Sequence, residues 1–234
     1  MNAKPNAVSL RLPTTMMLVG QIFYIVVTQF HADGPANDHP VVFAEYAGNA
    51  IWTAVHLAQF VSMAVLVGGL FALYFALDDQ TSMARWTSRL GAASSIVALA
   101  LYGALQAVDG VANKQADVVW VSATGAEKAA RFASAEAIRW IEWGMRSYHD
   151  ISLGLALVLF AAAFLSAPVP RPIAYLMGLS GLTYLVQGWV VGAEGFSQAE
   201  SILIVSAWVI SLAWMIWMLL VSRRMRDSAV LYER

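Results

Sequence analysis

The sequence predicts an all-α fold, a polytopic membrane bundle of six transmembrane helices forming one domain over residues 1–234, and three observations predict it. Hydrophobic residues make up 59% of the chain against 12% charged, and the mean hydropathy is +0.63, far from the usual soluble mix. Six uncharged apolar runs are long enough to cross a bilayer: residues 12–30, 51–77, 90–108, 151–167, 173–191 and 202–221. Finally, the stretch from Ala126 to Leu165 begins as a charged amphipathic helix and continues without a breaker into the fourth span. At 1.5 Å per residue it would be about 60 Å long. The hydrocarbon layer is only ~30 Å thick, so half of this helix is expected outside it.

Lys4 and Arg11 precede the first run, but no small-residue cleavage site follows, so it reads as a retained span with Pro13 in its first turn. A loop holding His31, Asp33, Asp38, His39 and Glu45 leads to the second span. Arg85 and Arg89 lie between spans two and three. Pro168, Pro170 and Pro172 stop span four and restart the chain as span five. On span five Gly188 with Gly192, and Gly178 with Gly181, offer smooth patches for close helix approach. There is no internal repeat. With no cysteine, disulfides, thiolate metal sites and cysteine nucleophiles are excluded, and no basic tract is long enough for nucleic acid.

Lys and Arg counts in the short loops set the expected orientation. The N-terminus, the second and fourth loops and the C-terminus (Arg223, Arg224, Arg226, Arg234) carry them, whereas the first and fifth loops have none. Both termini are therefore expected in the cytoplasm. All four histidines, His31, His39, His56 and His149, then fall toward the outer side, with Asp109, Glu45 and Glu194.

Glu136, Arg139, Glu142, Arg146, His149 and Asp150 follow at three- and four-residue steps, which places them on one side of a helix. Trp140, Ile141, Met145 and Tyr148 share the other. On span three Tyr102, Gln106, Asp109 and Asn113 recur in the same way and end beside Lys114; on span two His56, Gln59 and Ser62 form a third polar stripe. An ionisable group in a span costs about 2.5–3.5 kcal/mol at mid-bilayer on insertion scales, so such groups pair or line a wet cavity. Pairing of Asp109 with Arg139 or Arg146 would meet that need. The plainer alternatives are a salt-bridged lid or the solvated face of an interfacial helix.

Imidazole and carboxylate suit a divalent metal, which makes His31, His39, His56 and His149 metal candidates. Their spacing is loose, with no His-x3-His or Glu-x-x-His pair on a helix, and it favours solvated loop histidines and a His56 bonded to a neighbouring helix. Heme would need two imidazoles at similar depth, and His56 with His149, expected to be the shallower, is the one available pair. The sequence names no cofactor.

With Asp109-Gly110-Val111-Ala112-Asn113-Lys114 followed by Trp120, with Glu136-Ala137-Ile138-Arg139-Trp140-Ile141-Glu142-Trp143, and with His39-Pro40-Val41-Val42-Phe43-Ala44-Glu45-Tyr46-Ala47 ahead of Trp52 and His56, the chain resembles an uncharacterised group of bacterial multispanning integral membrane proteins. The resemblance covers nearly the whole chain. It implies six spans in a bacterial plasma (inner) membrane and carries no catalytic residues across.

Three functions fit these patterns. The first is a membrane protein whose outward-facing polar pocket binds or processes a small lipophilic ligand. Asp109, Glu136, Glu142 and His56 would be its acid/base candidates, and Gln59, Tyr102, Gln106, Lys114, Arg139, Arg146, His149 and Asp150 its binding groups. No motif specifies a reaction. The second is a structural or accessory subunit whose charged outer helix is a salt-bridged cap or docks a partner. The third, a proton-coupled transporter, is disfavoured because the polar groups crowd one side and spans five and six hold no internal charge.

Overall fold

The computed structural model describes residues 7–32, 34–35, 37–77, 82–167 and 169–232, and every regular element in them is a helix. Lys4, Asp33, Pro168 and Arg234 lie outside the described residues, as does the side chain of Arg226. Six helices are long and apolar enough to cross a membrane. They are α1 (Ala7–Thr28), α3 (Trp52–Leu77), α4 (Ser82–Ala107), α6 (Gly125–Leu165), α7 (Arg171–Glu194) and α8 (Gln198–Tyr232), with the short helices α2 (His39–Gly48) and α5 (Lys114–Ser122) between them. A π-helical turn (Val108–Asn113) joins α4 to α5 without a break.

Each long helix packs on its neighbours in sequence, α1 on α3, α3 on α4, α4 on α6, α6 on α7 and α7 on α8, and α8 closes against α1. The spans thus form an up-and-down ring, with the chain entering and leaving at the same end. At the opposite end α5 and the first half of α6 make a helical hairpin turning at Ala123 and Thr124, where Gly125 takes φ +59°. Helix α2 lies on this hairpin. Val42, Phe43, Tyr46, Trp52 and Ala135 form a small apolar core there, backed by Trp120 and Phe132 and separate from the main core of the bundle.

Helix α6 is 41 residues long, as its unbroken pattern predicts, but its polar stripe is not solvated. Arg139, Glu142, Arg146, His149 and Asp150 are all buried, whereas Trp140, Ile141 and Tyr148 are 51–65% exposed. The reading of these charges as the wet face of an interfacial helix is therefore overturned. Lipid reverses the usual arrangement: apolar side chains can face hydrocarbon at no cost, and charges must be satisfied inside.

Two local differences have simple causes. Pro13 sits inside α1, not in its first turn, because the helix begins at Ala7; membrane helices tolerate an interior proline where neighbours re-satisfy the freed carbonyl. Residues 39–48, expected as loop, are helical because Asp38 caps the first turn through Val41 N–H and Pro40 occupies a position where its missing N–H costs nothing.

Lys114, offered above as a ligand-binding group, ends that short helix. Its Nζ donates to the carbonyls of Tyr46, Ala47 and Asn49 at 2.7, 2.9 and 2.8 Å, supplying three acceptors that a helix C-terminus otherwise leaves unpaired. Of the span-five glycines, Gly181 and Gly188 approach a neighbouring backbone closely, and Gly192 the Ser147 hydroxyl, 2.9 Å from where its Cβ would be. A Cβ on Gly181 would lie 2.7 Å from the Gly154 carbonyl oxygen of α6 and one on Gly188 2.7 Å from that of Ser147, while one on Gly178 would meet only an ordinary contact at 3.4 Å.

Two outcomes follow for thermal unfolding in detergent. Lys114→Met should lose about 2–3 kcal/mol, since charge-assisted hydrogen bonds are lost and helix-end carbonyls stranded. Gly181→Val should lose on the order of 1–3 kcal/mol through overpacking, whereas Gly178→Ala should stay within roughly 0.5 kcal/mol of the parent.

Candidate functional site

The site lies at the end of the ring opposite the termini and depends first on Gly110. A Cβ there would fall 2.7 Å from His56 Cβ, so a glycine in the π-turn is what lets α3 approach α4. The wide turn leaves carbonyls without their usual helical donors, and α3 supplies replacements: Trp52 Nε1–H donates to Asp109 O at 2.9 Å and the Thr53 hydroxyl to Gly110 O at 3.2 Å. This contact brings His56 Nε2 to 2.9 Å from Asp109 Oδ2. His31, just beyond α1, reaches the same oxygen at 3.8 Å.

Neither expected arginine pairing of Asp109 forms. Arg139 instead bonds Glu142 one turn away, at 2.6 and 2.9 Å, and Arg146 bonds Asp150 at 3.0 Å. Local i,i+3 and i,i+4 pairs on α6 take both guanidiniums, which leaves the imidazoles for Asp109. Asn113 links the two systems, donating to Glu142 and, at 3.5 Å, to Asp109. Arg139 also donates to the Tyr46 hydroxyl at 3.1 Å and lies over the rings of Phe196 and Tyr46. Burial holds the Tyr46 pKa well above its ordinary value, with Arg139 opposing, so the phenol keeps its proton.

Asp109, Glu142 and Arg139 form one wall of a cavity of about 310 Å³. Tyr24, Tyr102 and Arg146 line it more deeply, and Leu105 and Ile204 add apolar surface. Arg146 donates to the Tyr24 hydroxyl at 3.1 Å. Of the sequence candidates, Gln59, Tyr102, Gln106, Asp109, Glu142, Arg139 and Arg146 reach this cavity, and His31 lines it too. His56 stands behind Asp109.

The remaining candidates do other work. His39 is not solvated: its Nδ1 lies 2.9 Å from Glu136 Oε1, and this pair ties α2 to α6. His149 bonds the Ala98 carbonyl at 2.9 Å and stacks beside Tyr102, while Asp150 anchors Arg146. His149 is the deeper of the proposed heme pair, not the shallower. His56 packs at Gly110 and His149 at Ala98, levels that differ along α4 by on the order of 15 Å. Two imidazoles so offset do not clamp one iron.

Tyr24, Thr28, Tyr46, Phe196 and Glu200 are cavity residues that sequence reasoning missed. Tyr24 and Thr28 stand one turn apart on α1 and repeat the polar spacing seen on α3, which was a usable signal. No family model, curated protein or solved structure matches the chain.

The contacts predict which losses combine. Asp109→Asn and His56→Gln should be clearly non-additive in unfolding free energy, with a coupling of about 1 kcal/mol or more, because each removes the same contact. Asp109→Asn with Arg139→Gln should come closer to additivity. A larger coupling in the second cycle would show that the arginine is the true partner of Asp109.

Proposed function

We propose that the protein is a multi-pass component of a bacterial plasma membrane, termini cytoplasmic, whose outward-facing cavity binds a small lipophilic ligand. The distribution of Lys and Arg among the short loops supports the orientation. One observation carries the binding reading: a cavity inside the ring joins a charged wall to an apolar flank. Arg139 and Arg146 present guanidiniums to it, Gln59, Gln106 and Tyr102 add neutral polar groups, and Leu105 and Ile204 offer carbon surface.

At about 310 Å³ the cavity is at the small end of the ~300–1,000 Å³ usual for ligand pockets, so the ligand is small. A carboxylate or other hydrogen-bond acceptor on it would meet the arginines, and its apolar remainder the side of Leu105 and Ile204.

A structural or accessory role draws on the exposed Trp140, Ile141, Tyr148 and Trp189. The same aromatic residues suit an interfacial belt, where indole and phenol rings sit at the headgroup level. Arg139, Glu142, Arg146 and Asp150 of α6 turn inward and are not presented to a partner, while Glu127, Lys128 and Arg131 at its start stay exposed. The ligand reading therefore accounts for more of the buried polar set.

The test is purification in native lipid nanodiscs, with mass spectrometry of small molecules released on denaturation. Wild-type protein should release about one ligand per cavity, and Ile204→Trp, which fills the apolar flank, should release little while keeping its thermal transition. Equal yields from both proteins, or none from the wild type, would refute the proposal.

A further inference from the structure

His31, His56 and Asp109 each offer one ligand-type atom, and these atoms all lie within 4.8 Å of one another. We propose that they form a binding site for a divalent first-row transition metal, with two imidazole nitrogens and one carboxylate oxygen as protein ligands and further positions open toward the cavity. Metal binding goes beyond the ligand reading and does not require it.

The tautomers favour it. His56 Nδ1 lies 2.8 Å from the Trp52 carbonyl oxygen, and His31 Nδ1 lies 3.1 Å from that of Ala32. A carbonyl only accepts, so each Nδ1 carries the proton, and in the neutral ring Nε2, on the Asp109 side, is left as the ligand atom. Backbone carbonyls hold metal-ligating histidines in this way, fixing ring and tautomer together.

Hydrogen bonding does not explain the closest contact. His56 Nε2 is 2.9 Å from Asp109 Oδ2, yet it has no hydrogen-bond partner, since the carboxylate lies off the axis along which an Nε2–H would point. His56 is 2% exposed and Asp109 7%, so water does not supply what is missing. Ligand atoms on one metal at about 2.0–2.1 Å stand roughly 3–3.5 Å apart. The contacts of 2.9 and 3.8 Å bracket that spacing, and the adjustment falls to His31, half-buried just past the end of α1 and free of helical constraint.

Charge balance points the same way. Among the described residues, the polar end of the bundle buries the carboxylates of Asp109, Asp117, Glu142, Asp150 and Glu200. Arg139, Arg146 and Lys114 are the cations set among them, which leaves two negative charges over. One divalent ion restores neutrality where the low dielectric makes a surplus costly. Protonation of His31 and His56 beside Asp109, or of two carboxylates, would also restore it, and the experiment separates these cases from a metal.

The probe is Co2+, added to chelator-treated full-length protein in nanodiscs, with Zn2+ competition and elemental analysis. Wild-type protein should take up about one Co2+ with visible d–d absorption that Zn2+ abolishes. His56→Asn, Asp109→Asn and His31→Asn should each weaken binding by at least ~10-fold. His31→Asn, at the half-buried position, keeps the comparison valid if the buried variants fold poorly. Ile204→Trp should bind Co2+ as the wild type does even where it loses the lipophilic ligand, so the two proposals fail separately. Absence of d–d absorption, or uptake indifferent to all three substitutions, would overturn the metal site and leave protonated imidazoles or carboxylates as the balance.

Discussion

Hydrocarbon offers no hydrogen bonds, and that constraint decides where the charged residues of α6 go. A helix carrying Arg139, Glu142, Arg146 and Asp150 on one side and Trp140, Ile141 and Tyr148 on the other has two possible orientations. In water the charges would face out. In a membrane bundle they face in, and they must then find partners within the ring. Arg139 with Glu142 and Arg146 with Asp150 supply them locally on the same helix, and Tyr46 and Tyr24 complete the shell from α2 and α1. Once these pairs are internal the spans around them cannot close to a dry core, and the cavity is the space left between them.

The π-turn is the second determinant, because it makes the inward polar groups of α4 meet those of α3. A regular α-helix through residues 108–113 would consume its own carbonyls. The wider turn releases them to Trp52 and Thr53, and Gly110 removes the side chain that would hold α3 away. Asp109 then faces two histidines instead of an arginine. Lys114 sits one residue past the turn and fixes the end of α2, so the same short segment positions Tyr46 as well. Local backbone geometry, helix capping and site assembly are thus three consequences of seven residues.

The parts of the fold that depend on composition and period were legible in the chain. Six long uncharged runs give six spans, and the unbroken pattern from Ala126 gives α6 nearly to the residue. Polar spacing placed Tyr102, Gln106 and Asp109 on one helix face and Glu142, Arg139 and Arg146 on another, without saying that both turn inward, and these faces meet at the cavity. What the chain alone left hidden is relative depth. His56 and His149 occur at the ends of apolar runs in sequence, but antiparallel packing sets one against Gly110 and the other against Ala98. Partner choice was hidden too: opposite charges suggested Asp109 with arginine, whereas the arginines pair with i,i+3 and i,i+4 neighbours on their own helix. The π-turn has no period of its own to betray it, and α2 was masked by the Gly and Pro residues before its cap.

The distribution of satisfied and unsatisfied groups argues against a purely structural role for the polar end. Holding α2 on the hairpin rests on Lys114 at its three carbonyls, the His39–Glu136 pair and the apolar core around Phe43, although Nε2 of His39 is buried there without a partner. Inside the ring Oδ1 of Asp150, Oε1 of Gln106 and Nε2 of His56, and on the hairpin both carboxylate oxygens of Asp117, are buried without a hydrogen-bond partner among the described residues. Leucine or alanine at such positions would spare the bundle the cost of desolvating them, since apolar replacement of buried ionic groups is often neutral or stabilising. A scaffold gains nothing from half-satisfied charges. A binding site does, because a buried polar atom without a partner in the protein is one that a ligand can complete.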